Sequence, residues 1–180
     1  MHISKKKCTF AGQIGVLCTN MKDLKIESHV AVCSWDELTD DQKQLLECAK
    51  EMTQSSYCPY SQFHVGAAVR LSGGIIVKGS NQENAAYPSG LCAERTTLFA
   101  ANANYPDRPV EALAIACFTG GHFTAEPGSP CGSCRQVMIE TEHRFNTPMQ
   151  VLLYGEKYIY VFKDANQLLP LGFFAEDLKD

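Results

Sequence analysis

The stretch SPCGSCRQVMIE, Ser129 to Glu140, sets two thiols on either side of a two-residue gap. A proline precedes them and an amphipathic helix follows, with Cys134, Val137, Met138 and Thr141 on its inner face. Taken alone, a C-x-x-C is as consistent with a redox pair, or with two small buried hydrophobes, as with a metal site. A structural zinc site needs two further ligands, usually from a second C-x-x-C or a close histidine pair. His2, His29, His64, His122 and His143 form no such pair.

The complement lies upstream in LCAERTTLF, Leu91 to Phe99. Cys92 opens a second helix, whose one face carries Cys92, Thr96, Phe99, Ala100 and Ala103. Glu94 follows within its first turn. Three thiolates from two helix starts, Cys92, Cys131 and Cys134, with no fourth protein ligand, describe an open tetrahedral zinc whose remaining position belongs to water. A carboxylate beside that water is what metal-assisted hydrolysis asks of a proton shuttle. A first-turn glutamate also stabilises the helix dipole, and Glu94 can serve both ends.

Around these helices the apolar pattern gives a frame. Ser34 to Glu37 fits a capping box, and Leu38, Leu45, Leu46, Ala49 and Met52 then recur at helical spacing until Pro59. Val65, Ala67, Val69 and Leu71 alternate, Gly73-Gly74 turns, and Ile75 to Val77 returns as a hairpin. Ala112 to Phe118 reads as a buried strand, and 151–154 and 158–162 as a strand pair around Gly155. A short helix near Asp164 to Leu169 follows. The order α-β-β-α-β-α-β-β predicts an α/β fold, a three-layer α/β/α arrangement on a mixed five-stranded sheet. The two cysteine-bearing helices flank the strand 112–118, so a right-handed crossover sets their N-terminal ends side by side.

Length and charge bound the rest. At 180 residues one domain is expected. Residues 1–33 carry five lysines against Asp23 and Glu27, a net of +3, which leaves −7 on residues 34–180 of a chain totalling −4. An acidic body weighs against nucleic acid as the partner. No apolar run reaches the roughly 18 residues of a membrane span. Nine cysteines, odd in number and scattered, read as a reduced, cytoplasmic protein. The segment KKKCTFAGQIGVLC is basic and mildly apolar, but Gln13 and two glycines break it, and it holds no arginine. Residues 1–33 are therefore expected to be a flexible N-terminal extension, and 34–180 the working domain.

Cys92-Ala93-Glu94 and Pro130-Cys131-x-x-Cys134 resemble the zinc nucleoside deaminase signature. YCPYSQFHVGAAV (57–69), NQENAAYPSGLCAERT (81–96), SPCGSCRQVM (129–138) and LLPLGFFAEDL (168–178) resemble, in order, segments of the small homotetrameric cytidine deaminases. That resemblance implies one Zn²⁺ per subunit on Cys92, Cys131 and Cys134. It implies Glu94 as the shuttle that takes a proton from water and delivers it to N3 while C4 is attacked and ammonia leaves. The substrates would be cytidine and deoxycytidine, in pyrimidine salvage, with neither nucleic acid nor membrane as partner. It further implies that Asn81 and Glu83 bind the ribose 3′-hydroxyl, Phe63 stacks on the base, and the Ala93 backbone faces its O2. Ala85 and Tyr87 would reach the 5′ end of the sugar and Phe173 would close the pocket, these coming from neighbouring subunits of a homotetramer. Read without the resemblance, Asn81 and Glu83 are turn residues and Phe63 is core filler.

Three thiolates leave zinc a formal charge of −1, so the site needs compensation. The helix starts at Cys92 and Cys131 supply part of it. The resemblance adds Arg95, hydrogen-bonded to the sulfurs, and Gln136 in support. Three features depart from the family pattern: the doubled Phe173-Phe174, a loop from Gly120 to Gly128 that reads as loose, and the extension. Two rival readings share these residues: a deaminase of a polynucleotide base or base-like antibiotic, and a non-catalytic zinc module closed by four protein ligands.

Overall fold

The computed structural model describes residues 22–179; most of the expected extension, residues 1–21, and Asp180 lie outside them. Seven strands and three α-helices form the frame: β1 Ala31–Cys33, α1 Asp40–Met52, β2 His64–Leu71, β3 Ile76–Ser80, α2 Ala93–Asn104, β4 Val110–Thr119, β5 His122–Phe123, α3 Gly132–Phe145, β6 Gln150–Leu153 and β7 Ile159–Phe162. The strands lie in the order β1-β7-β6-β4-β2-β3, with β5 paired to β4. β4 and β6 are parallel and the other pairs antiparallel, so the sheet is mixed as expected.

The two faces of β4 explain the layers. Leu113, Ile115 and Cys117 point to one side and pack with Leu98 and Ala101 of α2 and Met138 and Ile139 of α3. Ala112, Ala114 and Ala116 point to the other, against Leu45, Leu46 and Ala49 of α1. Period-two alternation thus gives large residues to the face that carries two helices and small ones to the face that carries one. The small face lets α1 approach closely. A Cβ added to Gly66 of β2 collides with the Ala49 carbonyl oxygen and stands 2.7 Å from the Thr53 amide nitrogen.

The sheet has seven strands where five are expected. β1 lies inside the segment read as flexible extension, and it pairs with β7, Ala31 opposite Val161 and Cys33 opposite Ile159. β5 lies inside the loop read as loose. Gly120 and Gly121, at φ +61° and +87°, make the turn that returns it to β4. The rest of that loop is tied down as well: the Thr124 amide donates to the Cys117 carbonyl at 3.0 Å, and the Glu156 and Lys157 amides donate to Thr124 and Ala125, each at 3.0 Å. Strands of two or three residues are too short to show alternation, which is why the sequence conceals them.

Helix starts differ by one element. The Ser34–Glu37 box caps a short 3₁₀ turn, Trp35–Glu37, and α1 begins after a second box, Thr39 with Gln42. At the far end of α3 the buried Glu142 carboxylate accepts from the Met149 and Ala165 amides and from Asn166 Nδ2, at 3.3, 2.7 and 2.7 Å. One side chain thereby gathers the chain before β6 and the 3₁₀ turn Ala165–Leu168 onto α3. No helix among the described residues is long and apolar enough to cross a membrane.

Because the neighbours of Gly66 are backbone atoms that cannot rotate away, Gly66→Ala is expected to lower unfolding free energy by roughly 3 kcal/mol, read from the shift of the denaturation midpoint. A midpoint equal to that of wild type would mean that α1 is free to move off the sheet.

Candidate active site

Cys92 and Cys131 are the N-cap residues of α2 and α3, both with extended backbone, and Cys134 sits in the first turn of α3. Because α2 and α3 pack on one sheet face and on each other, their starts meet. The sulfurs are 3.8 Å apart for Cys92–Cys131 and 3.4 Å for Cys131–Cys134, and all three lie within 4.8 Å of one another. A tetrahedral zinc with Zn–S bonds of about 2.3 Å requires sulfur–sulfur edges of about 3.8 Å. The trio fits, and soft sulfur donors are those that zinc favours. Among the described residues no fourth histidine, cysteine or carboxylate joins the group.

The surroundings are arranged for negative sulfur. Two helix N-termini face the trio, and Arg95 Nη2 stands 3.7 Å from Cys92 Sγ. Without metal the Cys92 thiol ionises readily, its pKa falling to about 5. A hydrogen bond from the Cys134 thiol is the main cause; partial burial opposes it and Arg95 assists. Cys134, fully buried, is pushed the other way as the proton donor of that pair. Glu94 is 4% exposed, and burial raises its carboxyl above the usual range, with the Cys92 charge adding to the rise.

Above the sulfurs opens a cavity of about 840 Å³. Cys92, Glu94, Arg95 and Cys131 line it, with Tyr60, Ser61 and Phe63 on one wall, Gly128 and Ser129 on another, and Asn81, Glu83 and Tyr87 at the loop before α2. Asn81 and Glu83 are not free in it. Asn81 Oδ1 accepts from the Val65 amide at 2.8 Å while its Nδ2 donates to the Phe63 carbonyl at 2.9 Å. One Glu83 oxygen accepts from the amides of Tyr60 and Ser61 at 2.9 and 3.3 Å. Hydrogen bonding, first from the Ser61 side chain, holds the Glu83 carboxyl below its usual range. Each side chain keeps unused capacity: a second amide hydrogen on Asn81 and a second oxygen on Glu83.

The remaining expected residues scatter. Tyr87 stands at the rim, edge-on to Tyr60 with centroids 6.0 Å apart. Ala93 is fully buried in the first turn of α2, and Ala85 is exposed in the loop outside the cavity lining. Phe173 does not line this cavity. Its backbone is clamped by Gln136, whose Nε2 donates to the Phe173 carbonyl at 2.6 Å and whose Oε1 accepts from the Phe173 amide at 3.2 Å. Gln136 therefore serves the C-terminal tail, with no hydrogen bond to the sulfurs. Of the doubled phenylalanines, Phe174 packs on His143 at 5.3 Å and Phe173 turns outward, 55% exposed.

Sequence reasoning overlooked a fourth thiol. Cys117 lines the cavity from β4, and burial, with the Glu94 charge adding, pushes it up to about 12. It stays a neutral wall. Its register with Leu113 and Ile115 was the signal, since alternation alone puts it on the face of the cysteine helices.

Residues 39–146 match a family model described as the cytidine and deoxycytidylate deaminase zinc-binding region. The cytidine deaminase of Halalkalibacterium halodurans is 37% identical over 142 residues, 78% of this chain and 99% of its own. That of Sporosarcina psychrophila is 40% identical over 138 residues, 77% and 95% of the two chains. The crystal structure of cytidine deaminase from Burkholderia pseudomallei superposes with a TM-score of 0.63 at 40% identity, over 76% of this chain and 100% of that one. Motifs, fold and sulfur geometry agree with these matches, and the chain belongs to the cytidine and deoxycytidylate deaminase family.

Proposed function

We propose that the protein hydrolyses cytidine and deoxycytidine to uridine and deoxyuridine with release of ammonia, as a step of pyrimidine salvage. The observation that carries this reading is the buried Glu94 carboxylate on the floor of a nucleoside-sized cavity, beside three sulfurs at tetrahedral spacing. Cys92, Cys131 and Cys134 would hold zinc. When bound, zinc supplies a Lewis acid that makes water nucleophilic near neutral pH.

The chain's own groups do the rest. Glu94 takes a proton from the attacking water and places it on N3 of the pyrimidine. It then carries the proton of the new C4 hydroxyl to the amino group at C4, so that ammonia leaves and a C4 carbonyl remains. A carboxylate raised by burial is a stronger base for the first transfer than an exposed one, and as a carboxylic acid it still gives the proton up to a more basic nitrogen. Arg95 offsets the surplus negative charge of the thiolates from 3.7 Å. Asn81 and Glu83 are pre-oriented by the 60–65 backbone and offer their unused donor and acceptor to the ribose 3′-hydroxyl. Phe63 stacks on the base, and the buried Ala93 backbone at the start of α2 faces O2.

Arg95 is the sole basic residue among the described cavity-lining residues, and it is engaged by Cys92. A nucleoside suits that lining better than a phosphorylated or polymeric substrate. Phe173, held by Gln136 with its ring outward, would serve a neighbouring copy, as would Ala85 and Tyr87, exposed in the loop before α2. This supports a homotetramer with shared sites. Free thiols at all seven described cysteines suit a reducing cytoplasm. The catalytic unit is taken as residues 34–180, with β1 as the anchor of the extension that precedes it.

Ultraviolet absorbance on mixing with cytidine tests the reading: zinc-loaded protein converts the cytosine spectrum to that of uracil, and a constant spectrum overturns the proposal. Glu94→Gln keeps about one zinc per chain while turnover falls by about 10²–10⁴-fold, the range general acid–base catalysis supplies. Cys131→Ser loses the metal, checked by elemental analysis of the purified chain. Arg95→Gln is milder, about 10–100-fold in rate or metal affinity. Wild-type values for both would remove Arg95 from the charge balance.

A further inference from the structure

Lys50, in the last turn of α1, ends inside a cage of aromatic faces. Its Nζ lies 5.3 Å from the ring centroid of Trp35, 5.4 Å from Phe123 and 4.9 Å from Tyr154. Glu47 pairs with the same ammonium at 2.7 Å. The side chain is 21% exposed, and a cation partly removed from water is held more strongly by ring faces. The three rings come from separate pieces of chain: the 3₁₀ turn before α1, strand β5 and the loop after β6. They also meet edge to face, Trp35 on Tyr154 at 6.2 Å and Tyr154 on Phe123 at 5.4 Å. The series continues from Phe123 to Phe118 at 5.3 Å and from Phe118 to His64 at 6.2 Å. No step of the proposed chemistry uses Lys50.

The cage anchors the β4–β5 hairpin, and the hairpin touches a strained point of the pocket wall. Gln62 has φ +54°, the left-handed region that a residue with a side chain enters at a cost. Its carbonyl oxygen accepts from the Thr119 hydroxyl at 3.3 Å, and Thr119 is the β4 residue paired with His122 across the hairpin. The Gln62 amide donates to the Cys58 carbonyl at 3.1 Å and its Nε2 donates to the Pro59 carbonyl at 3.0 Å. The next residue is Phe63, on the cavity wall beside Tyr60 and Ser61. Down its other arm the hairpin continues through Thr124 to Gly128 and Ser129 on a second wall.

We propose that Lys50 and Thr119 are positioning residues for the nucleoside: the cage fixes the hairpin, and Thr119 at its edge holds Gln62 and with it the Phe63 wall. This rests on the cavity being the nucleoside pocket. The sulfurs and Glu94 are carried by α2 and α3, to which the cage contributes no residue. Loss of the cage therefore acts on substrate binding and leaves the chemical step in place.

The test compares wild type, Lys50→Met, Lys50→Arg, Thr119→Val and the Lys50→Met/Thr119→Val double variant by steady-state cytidine kinetics, zinc content and amide hydrogen exchange. Lys50→Met keeps the apolar stem and removes only the charge, and Thr119→Val keeps the shape and removes only the hydroxyl. Each is expected to raise KM about tenfold with kcat within about twofold and zinc unchanged. Lys50→Arg stays near wild type, because guanidinium also binds ring faces. The double variant is about as impaired as the worse single one, because both act through one hairpin. Exchange at the amides of residues 60–63 speeds up in Lys50→Met. A wild-type KM in Lys50→Met, a fall in kcat with KM unchanged, or unchanged exchange at 60–63 overturns the proposal. If wild type turns over no cytidine, the substrate reading falls, and the exchange result still decides the cage.

Discussion

Three sulfur atoms must come within about 4 Å of one another before zinc can be held, and two of them belong to separate helices. The fold meets that demand through a single strand. β4 gives its large residues to one face, α2 and α3 pack there, and their first residues, Cys92 and Cys131, come into contact. On the opposite face the alanines of β4 and Gly66 of β2 admit α1 at close range. The metal site therefore depends on a packing asymmetry across the sheet as much as on the ligands themselves.

The same arrangement answers the charge problem. A trio of thiolates makes it harder for a nearby carboxyl to ionise, since like charges raise one another's proton affinity. The Cys134 thiol donates to Cys92 and Arg95 stands beside it, and together they lower Cys92. Glu94, one residue before Arg95 and deeply buried, is left with its proton affinity raised. Two groups in one helical turn are thus driven in opposite directions, Cys92 toward its ionised form and Glu94 toward its protonated one.

Much of this was legible in the residues. The motifs around Cys92 and Cys131 place both helix starts, and alternation along 65–71 and 112–118 places the central strands. What stayed hidden has physical reasons. β1 and β5 are too short to carry a period, so in the sequence one reads as extension and the other as loose loop. The resemblance sets Gln136 in support of the sulfurs, whereas its amide is hydrogen-bonded to the Phe173 backbone, two positions round α3 from Cys134. Cys117 was passed over because a cysteine in an apolar run looks like any small hydrophobe. The aromatic line from Trp35 to His64 joins the β4–β5 hairpin to three pieces of chain distant from it in sequence, and no local pattern announces such a set.

Asn81 and Glu83 are each wired to the backbone that carries Tyr60, Ser61, Phe63 and Val65. If the pocket takes a nucleoside as proposed, sugar and heterocycle would be gripped by one stiff piece of protein rather than by two independent clamps. A ligand that pulls on either polar side chain also shifts the aromatic shelf, so affinity for the two halves of the molecule does not add as separate contributions. On the same reading a free pyrimidine, with no hydroxyl to complete those two side chains, would meet a shelf set for a larger guest.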